Sequence, residues 1–236
     1  MNLLKCLRLF KTWLNLRHQI ARRDMFFHEL GDMNKEPVQR EDFLIELSRN
    51  KRVLHFGFTD APFTKISLDG GRMLHCRIKE VAASLYGVDV DSAAVEIYRR
   101  TTGDTCNAIL DIEAEPDITG DLRNKYDLLL FGEILEHLKN PGNGLAHLHT
   151  ICAANPASKL VVTVPNAFSV LFFGAAVNGH EIVHPDHYYW FSPVTLKKLL
   201  VTYGFREIEI RIGVSNNNMI STPGITGTSV IAICTA

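Results

Sequence analysis

No apolar run in these 236 residues approaches the roughly 18 needed to cross a bilayer. The longest, Phe168 to Val177, is broken by Ser169 and Gly174. No small-residue cleavage site follows an apolar block near the N-terminus, so no signal peptide is expected. Cysteine is sparse: Cys6, Cys76, Cys106, Cys152 and Cys234 are scattered without a Cys-x-x-Cys pair. That argues against both a disulfide framework and a zinc site, and fits a reducing, cytoplasmic setting. A dominant charge is missing too. The net charge of −1 gives no electrostatic case for nucleic acid as a partner. Also absent is Gly-x-Gly-x-x-Gly, which a dinucleotide pyrophosphate would need. Repeats and low-complexity tracts do not occur.

What is present is enough apolar material, 46% of the chain, for one α/β domain with a full core. From residue 42 onward, apolar blocks alternate with helical patterns. Strands are expected at 52–57, 85–89, 106–110, 126–131 and 159–164, with helices at 74–84, 91–101 and 143–154. This alternation predicts a parallel sheet covered on both faces. Ser192-Pro193 reads as an N-cap followed by proline at the first helical position, with Gly204 after the last turn. Glu207–Ile212 and Thr228–Cys234 follow with only an Asn/Ser/Gly/Pro-rich loop between them, so they should pair antiparallel. The expected fold is therefore Rossmann-like: a seven-stranded, mostly parallel sheet with an antiparallel C-terminal pair and an N-terminal amphipathic helix.

That helix is read over residues 3–22, with Leu3, Leu7, Phe10, Leu14 and Ala21 on one face. Lys5, Arg8, Lys11, Arg17, Arg22 and Arg23 all precede the first acid, Asp24. Two readings stand. It lies peripherally on an anionic membrane surface through residues 1–23, or it packs on the domain or on a second subunit of a homo-oligomer. Residues 1–41 form this helix and a linker; 42–236 form the domain.

Ionisable residues gather where strands end. In open α/β sheets, ligands bind at the carboxyl ends of the strands. Asp89 ends a buried strand, where an unpaired carboxylate is costly, and two ribose hydroxyls would offer it a bidentate partner. Asp91-Ser92 can cap the next helix alone, which leaves Asp89 for a ligand. After Leu128–Phe131 come Gly132, Glu133, Glu136 and His137, read as a helix start with the three ionisable groups on one face. Three readings remain open for them: a general base, a divalent-metal set joined by His184 or His187, or packing. No metal is assigned. His187, then His184, is the best-suited general base, since neutral imidazole accepts a hydroxyl proton near pH 7. Tyr188, Tyr189, Trp190 and Phe191 supply apolar walls around them.

The motifs together resemble class I S-adenosylmethionine (SAM)-dependent methyltransferases. Arg-Val-Leu-His-Phe-Gly (52–57) is similar to the family's first strand and glycine turn, Gly-Val-Asp (87–89) to its second-strand acid, and Leu-Asp-Ile-Glu (110–113) to its third-strand turn. Phe-Gly-Glu-Ile-Leu-Glu-His-Leu-Lys-Asn-Pro-Gly (131–142) and His-Pro-Asp-His-Tyr-Tyr-Trp-Phe-Ser (184–192) resemble a subgroup that includes quinone-biosynthesis and glycan-cluster methyltransferases. The resemblance covers residues 50–236. It implies SAM as cofactor, held by His55, Gly57, Asp89, Val90, Asp111, Ile112, Phe131 and Gly132. Gly57 would meet the amino-acid tail, the Asp111 side chain the adenine amino group, and the Ile112 amide a ring nitrogen. His187, His184 and Glu133 would be catalytic. Two departures stand out: the first loop (57–61) has one glycine, and an insertion near 67–73 lengthens the spacing to Asp89.

The expected activity is O-methylation of a hydroxylated small molecule, sugar or lipid-linked acceptor by direct in-line transfer. The apolar block 168–177 reads as a cap over that acceptor. The competing readings are a degenerate methyltransferase fold serving as a binding module, and a nicotinamide-dependent oxidoreductase.

Overall fold

The structure, a computed structural model, describes Lys11 and residues 36–114, 126–214 and 227–236. The chain divides into two compact units, Met1–Asp32 and Met33–Ala236. Of the helix expected over 3–22, only Lys11 is among the described residues, and it is helical and exposed. The loop between the last two strands likewise lies mostly outside them.

The second unit is built on one eight-stranded sheet. In chain order the elements are β1 (Val38–Gln39), α1 (Arg40–Ser48), β2 (Arg52–Phe56), α2 (Thr64–Asp69), α3 (Leu74–Lys79), β3 (Ser84–Asp89), α4 (Ser92–Thr102) and β4 (Asn107–Ile109). They continue with β5 (Leu128–Gly132), a 3-10 turn (Leu135–His137), α5 (Pro141–Ala153), β6 (Lys159–Pro165), α6 (Val170–Val177), α7 (Pro193–Thr202), β7 (Arg206–Val214) and β8 (Ser229–Thr235). Across the sheet the order is β1-β7-β8-β6-β5-β2-β3-β4. Strands β4, β3, β2, β5 and β6 run parallel, and β8 lies antiparallel between β6 and β7.

The central strands read as unbroken apolar runs because both of their faces are buried. Successive side chains alternate between two cores. Leu54, Phe56, Leu129 and Phe131 meet Leu145, Leu148, Leu196 and Leu200 of α5 and α7 on one face. Val53, Leu128, Leu130 and Val161 meet Leu44 of α1 and Ile78 of α3 on the other. At the start of α7, Ser192 Oγ accepts from the Thr195 amide and Thr195 Oγ1 accepts from the Ser192 amide, a closed capping box.

Three expectations need correction. The sheet has eight strands, not seven, because Val38–Gln39, within the segment read as linker, pairs parallel with β7. The helix expected to start after Gly132 does not form there: Glu133 sits at φ 53, a left-handed conformation that no helix contains. Only a 3-10 turn follows, so Glu133, Glu136 and His137 do not share a helix face. The stretch 67–73 is not one inserted loop either: it spans the end of α2 and the turn before α3.

Beneath the sheet's end lies a buried polar pair. His55 Nδ1 and His75 Nδ1 are 3.2 Å apart, so one donates and the other accepts, and both rings are neutral. Burial first, then the Arg40 charge, pushes His55 from 6.5 down to about 4. Burial first, then His55, also holds His75 well below its usual value. A folded-state value below the unfolded one means that the unfolded chain binds more protons in that window. The pair's contribution is therefore full above pH 6.5 and lost as pH falls towards 4. Urea unfolding should show stability falling by about 3 kcal/mol for His55 alone over that window. His55→Phe should remove that part of the slope; an equally steep profile in that variant would exclude His55 as its cause.

Candidate active site

The chain runs outward from β2 through β3 to β4, then crosses back to β5 and β6. This makes the β2/β5 boundary the point where the direction of winding reverses, and a crevice opens there at the carboxyl ends. It is a cavity of about 590 Å³, within the range of small-ligand sites. His55, Gly57, Asp89, Val90, Asp111, Ile112, Phe131 and Gly132 all line it, as do Glu133, His137 and His184.

Gly57 turns the chain at φ +65, and a Cβ there would meet the Ile134 side chain at 2.8 Å. Both the backbone conformation and the close approach exclude a side chain. Its own N–H donates to the Val88 carbonyl at 2.8 Å and so is not free for a ligand's amino-acid tail. The Phe131 side chain is buried against the Phe56 ring, which leaves its backbone to face the cavity.

Asp89 is 8% exposed. Its Oδ2 accepts from the Thr59 amide at 3.0 Å and the Thr59 hydroxyl at 2.7 Å, and its Oδ1 accepts from the Asp91 amide at 3.0 Å. Asp91, not Asp89, caps α4, accepting from the Ala94 amide at 2.9 Å. A carboxylate oxygen has room for two hydrogen bonds, so Asp89 keeps acceptor capacity towards the cavity. Beside it Val90 is 64% exposed, an apolar face suited to a flat ring. On the third strand's turn, exposed Asp111 accepts from the Glu113 amide at 2.8 Å, while Ile112 is buried.

The opposite wall carries the ionisable groups. Glu133 is tied down: its amide donates to the Thr163 carbonyl at 2.8 Å, and its carboxylate accepts from Thr163 Oγ1 at 2.8 Å. Arg40 Nη1 stands 3.3 Å from the same carboxylate. These contacts hold a residue with left-handed backbone in place and occupy its carboxylate, which suits positioning better than proton abstraction. Glu136 faces inward. It is fully buried, and neither carboxylate oxygen has a hydrogen-bond partner among the described residues. Burial first, then the Glu133 charge, pushes it up to about 9.

His137, His184 and His187 come together above it, with ring centroids 4.5 Å apart for His137 and His187 and 5.1 Å for His184 and His187. The segment carrying the last two is fastened to the turn below by the Tyr188 amide, which donates to the Glu136 carbonyl, and by the Tyr189 hydroxyl, which donates to the Lys139 carbonyl. Burial first, then His137 and His184, lowers His187 to about 4. It is thus neutral at pH 7 but a weaker base than free imidazole, and unlike His137 and His184 it does not line the cavity.

The sequence reading missed Thr59, Arg40 and Thr163. Thr59 could have been found: in a loop with one glycine, a residue that can donate twice to Asp89 is the natural replacement for bare amides. Arg40 lay in the segment taken for linker, and nothing local tied Thr163 to Glu133.

Residues 31–210 match the sequence family described as a methyltransferase domain, which is most of the chain. The protein is a class I SAM-dependent methyltransferase. Solved methyltransferases share its fold. A SAM-dependent methyltransferase from Archaeoglobus fulgidus aligns with TM-score 0.55 at 16% identity over 84% of this chain and 91% of that one. A possible histamine N-methyltransferase from Thermotoga maritima aligns with TM-score 0.55 at 17% identity over 83% and 89%. The CMeT domain of citrinin polyketide synthase aligns with TM-score 0.55 at 19% identity over 84% and 51%. Comparison of the sequence with curated proteins gave no significant match. SAM is the methyltransferase's cofactor, and the residues present fit it: a cavity of suitable size, a buried acid with spare acceptor capacity and an exposed apolar neighbour.

Thr59→Val keeps the side chain's shape and removes one charge-assisted bond to buried Asp89. It should lower the unfolding free energy by about 1–3 kcal/mol in urea titrations, and Thr59→Ser should recover most of the loss. An unchanged midpoint in the valine variant would mean that the hydroxyl does not support Asp89.

Proposed function

We propose that this methyltransferase methylates a hydroxyl oxygen of a lipid-linked acceptor. The observation that carries the reading is α6. All eight of its residues are apolar, and not one of them is buried. Leu171 is 56% and Phe173 63% exposed. Isolated exposed apolar residues need no explanation, but a contiguous apolar surface marks a binding site. Val170 and Val177 on the helix, Phe168 before it, and Ile182 and Val183 after it are exposed as well. Phe172 packs on Trp190 with ring centroids 4.6 Å apart, which joins this surface to the segment carrying His184 and His187. A hydrocarbon chain lying along α6 would deliver its polar head to the histidines.

When bound, SAM supplies an electrophilic methyl group on a sulfonium sulfur, and that bond's electron pair returns to sulfur to leave S-adenosylhomocysteine. On the protein's side, Asp89 accepts one ribose hydroxyl through the remaining site on Oδ1, in place of the bidentate pair expected, while Asp111 and the Ile112 amide address the adenine edge. His55, Gly57, Val90, Phe131 and Gly132 shape the cavity that holds them. Glu133, fixed by Arg40 and Thr163, positions the strand end. His187, assisted by His184, takes the hydroxyl proton as the oxygen attacks, so the product is a methyl ether and the imidazole ends protonated. Holding the two reactants in line supplies a large part of the acceleration. The aromatic segment 188–191, expected to wall the site, does not line the cavity, and Tyr188 and Tyr189 are exposed.

Mass spectrometry of the purified protein should find S-adenosylhomocysteine. Asp89→Ala should weaken its binding by about ten- to a hundredfold in calorimetry, the worth of one to two charge-assisted bonds. Equal affinity in the variant would move the ribose elsewhere. Transfer of labelled methyl from SAM should favour hydroxylated acceptors with a hydrocarbon tail over their water-soluble counterparts. Phe173→Glu should abolish that preference while leaving S-adenosylhomocysteine binding unchanged. A wild-type enzyme equally active on tailless acceptors would overturn the lipid reading.

A further inference from the structure

Glu136 has no account in the reading above. A buried carboxylate with both oxygens unbonded costs several kcal/mol, and such groups in native proteins are paired or held by a metal. His187 Nε2 is 4.0 Å from Glu136 Oε1, too far for a hydrogen bond. One nitrogen from each of His137, His184 and His187 lies within 4.8 Å of the other two. Ligands bound to one tetrahedral ion by bonds of about 2.0–2.1 Å lie ~3.4 Å from each other. A closing movement of about an ångström therefore brings the three nitrogens into one coordination sphere. His184, whose side chain is 45% exposed, has the freedom to make it. Its present tie is slight, a 3.3 Å contact in which Nδ1 accepts from the Asp186 amide.

We propose that His137, His184 and His187 bind a divalent ion of the zinc type, with the buried Glu136 carboxyl group as a neighbour 4.0 Å from His187. Three imidazoles favour zinc, cobalt, nickel or iron over magnesium or calcium, which prefer oxygen. Glu133 is not part of the set, because Arg40 and Thr163 engage it. A site with three protein ligands leaves a coordination position open, and His137 and His184 line the cavity, so the open position faces it. There the ion would bind the acceptor's hydroxyl oxygen and acidify it, and the proton would leave to solvent. The histidines would then be ligands in place of the base. This last step rests on the O-methylation reading; the ion site itself does not.

The test is competition for Zn2+ between the tag-free protein and a chromogenic chelator, with the visible spectrum of the Co2+ form as a second readout. One ion per chain is expected, with a Co2+ spectrum of low-coordinate, nitrogen-rich type. His187→Ala and the exposed, fold-safe His184→Ala should each weaken binding a hundredfold or more. Glu136→Gln should weaken it about ten- to a hundredfold, as loss of a supporting carboxylate does. His180→Ala, outside the cluster, should have no effect, and excess Mg2+ should not compete. Binding that is no weaker in His184→Ala and His187→Ala than in His180→Ala would overturn the site. S-adenosylhomocysteine calorimetry on the same samples separates the two readings. Cofactor binding without ion binding sinks the ion site alone; ion binding in an enzyme that methylates no hydroxyl acceptor sinks the acceptor reading alone.

Discussion

Backbone hydrogen bonds between β2 and β5 set Phe56 opposite Phe131, and the crevice exists because of that pairing. The two strands belong to halves of the sheet that wind away from each other, so no helix covers the gap between their carboxyl ends. The same register brings the turn at Gly57 against Ile134, closely enough that only glycine fits. A slip of one residue would exchange the two buried faces and send every core side chain to the wrong layer. The alternation of Val53, Leu54, His55 and Phe56 between the two cores therefore protects the site as much as it protects the fold.

Three buried carboxylates show how differently one fold treats the same group. Asp104 is desolvated, yet Lys79, the Cys106 amide and the Tyr98 hydroxyl together hold it down to about 2. Tyr98 in turn lies against Phe58 and His75, so that acid closes a structural network well away from the strand ends. Asp89 is satisfied by Thr59 and Asp91 but keeps a face to the cavity. Glu136 has no hydrogen-bond partner for either oxygen among the described residues. The three acids thus run from complete through partial to no satisfaction. The gradient follows from the cost of stranding a charge in a low dielectric.

The strands were legible because burial on both faces leaves unbroken apolar runs, and such runs bounded by turn residues have few alternatives. Asp91 as helix cap was legible for a local reason: its side chain reaches an amide three residues on. The two-residue β1 was not, since it is too short for any period and its pairing with β7 depends on a contact across most of the chain. The left-handed backbone at Glu133 was also hidden. Glu-Ile-Leu-Glu-His has good helix formers, and the conformation is imposed by Thr163 and Arg40 from other elements. Consequently, the residues at this strand end were identified from sequence while their directions were not. Glu133 faces its partners, Glu136 the interior and His137 the cavity.

Cofactor and acceptor are served by different kinds of structure. Asp89, Val90, Asp111 and Ile112 follow directly from β3 and β4, whose positions the sheet fixes. His184 and His187 come from a segment without regular structure, held by a few contacts: Tyr188 to Glu136, Tyr189 to Lys139, and a single bridge between Asn166 and Phe191. Each of these anchors uses backbone atoms of the turn or of the residue after β6. Tyr189 anchors through its own side chain and Phe191 belongs to the core, so within 184–191 the positions open to change are exposed ones such as Asp186 and Tyr188. Solved methyltransferases that share the fold bear names implying different acceptor atoms, carbon in one and nitrogen in another. A crevice with one wall fixed by the sheet and the other on a segment of irregular backbone fastened at a few points leaves room for such divergence at its exposed positions.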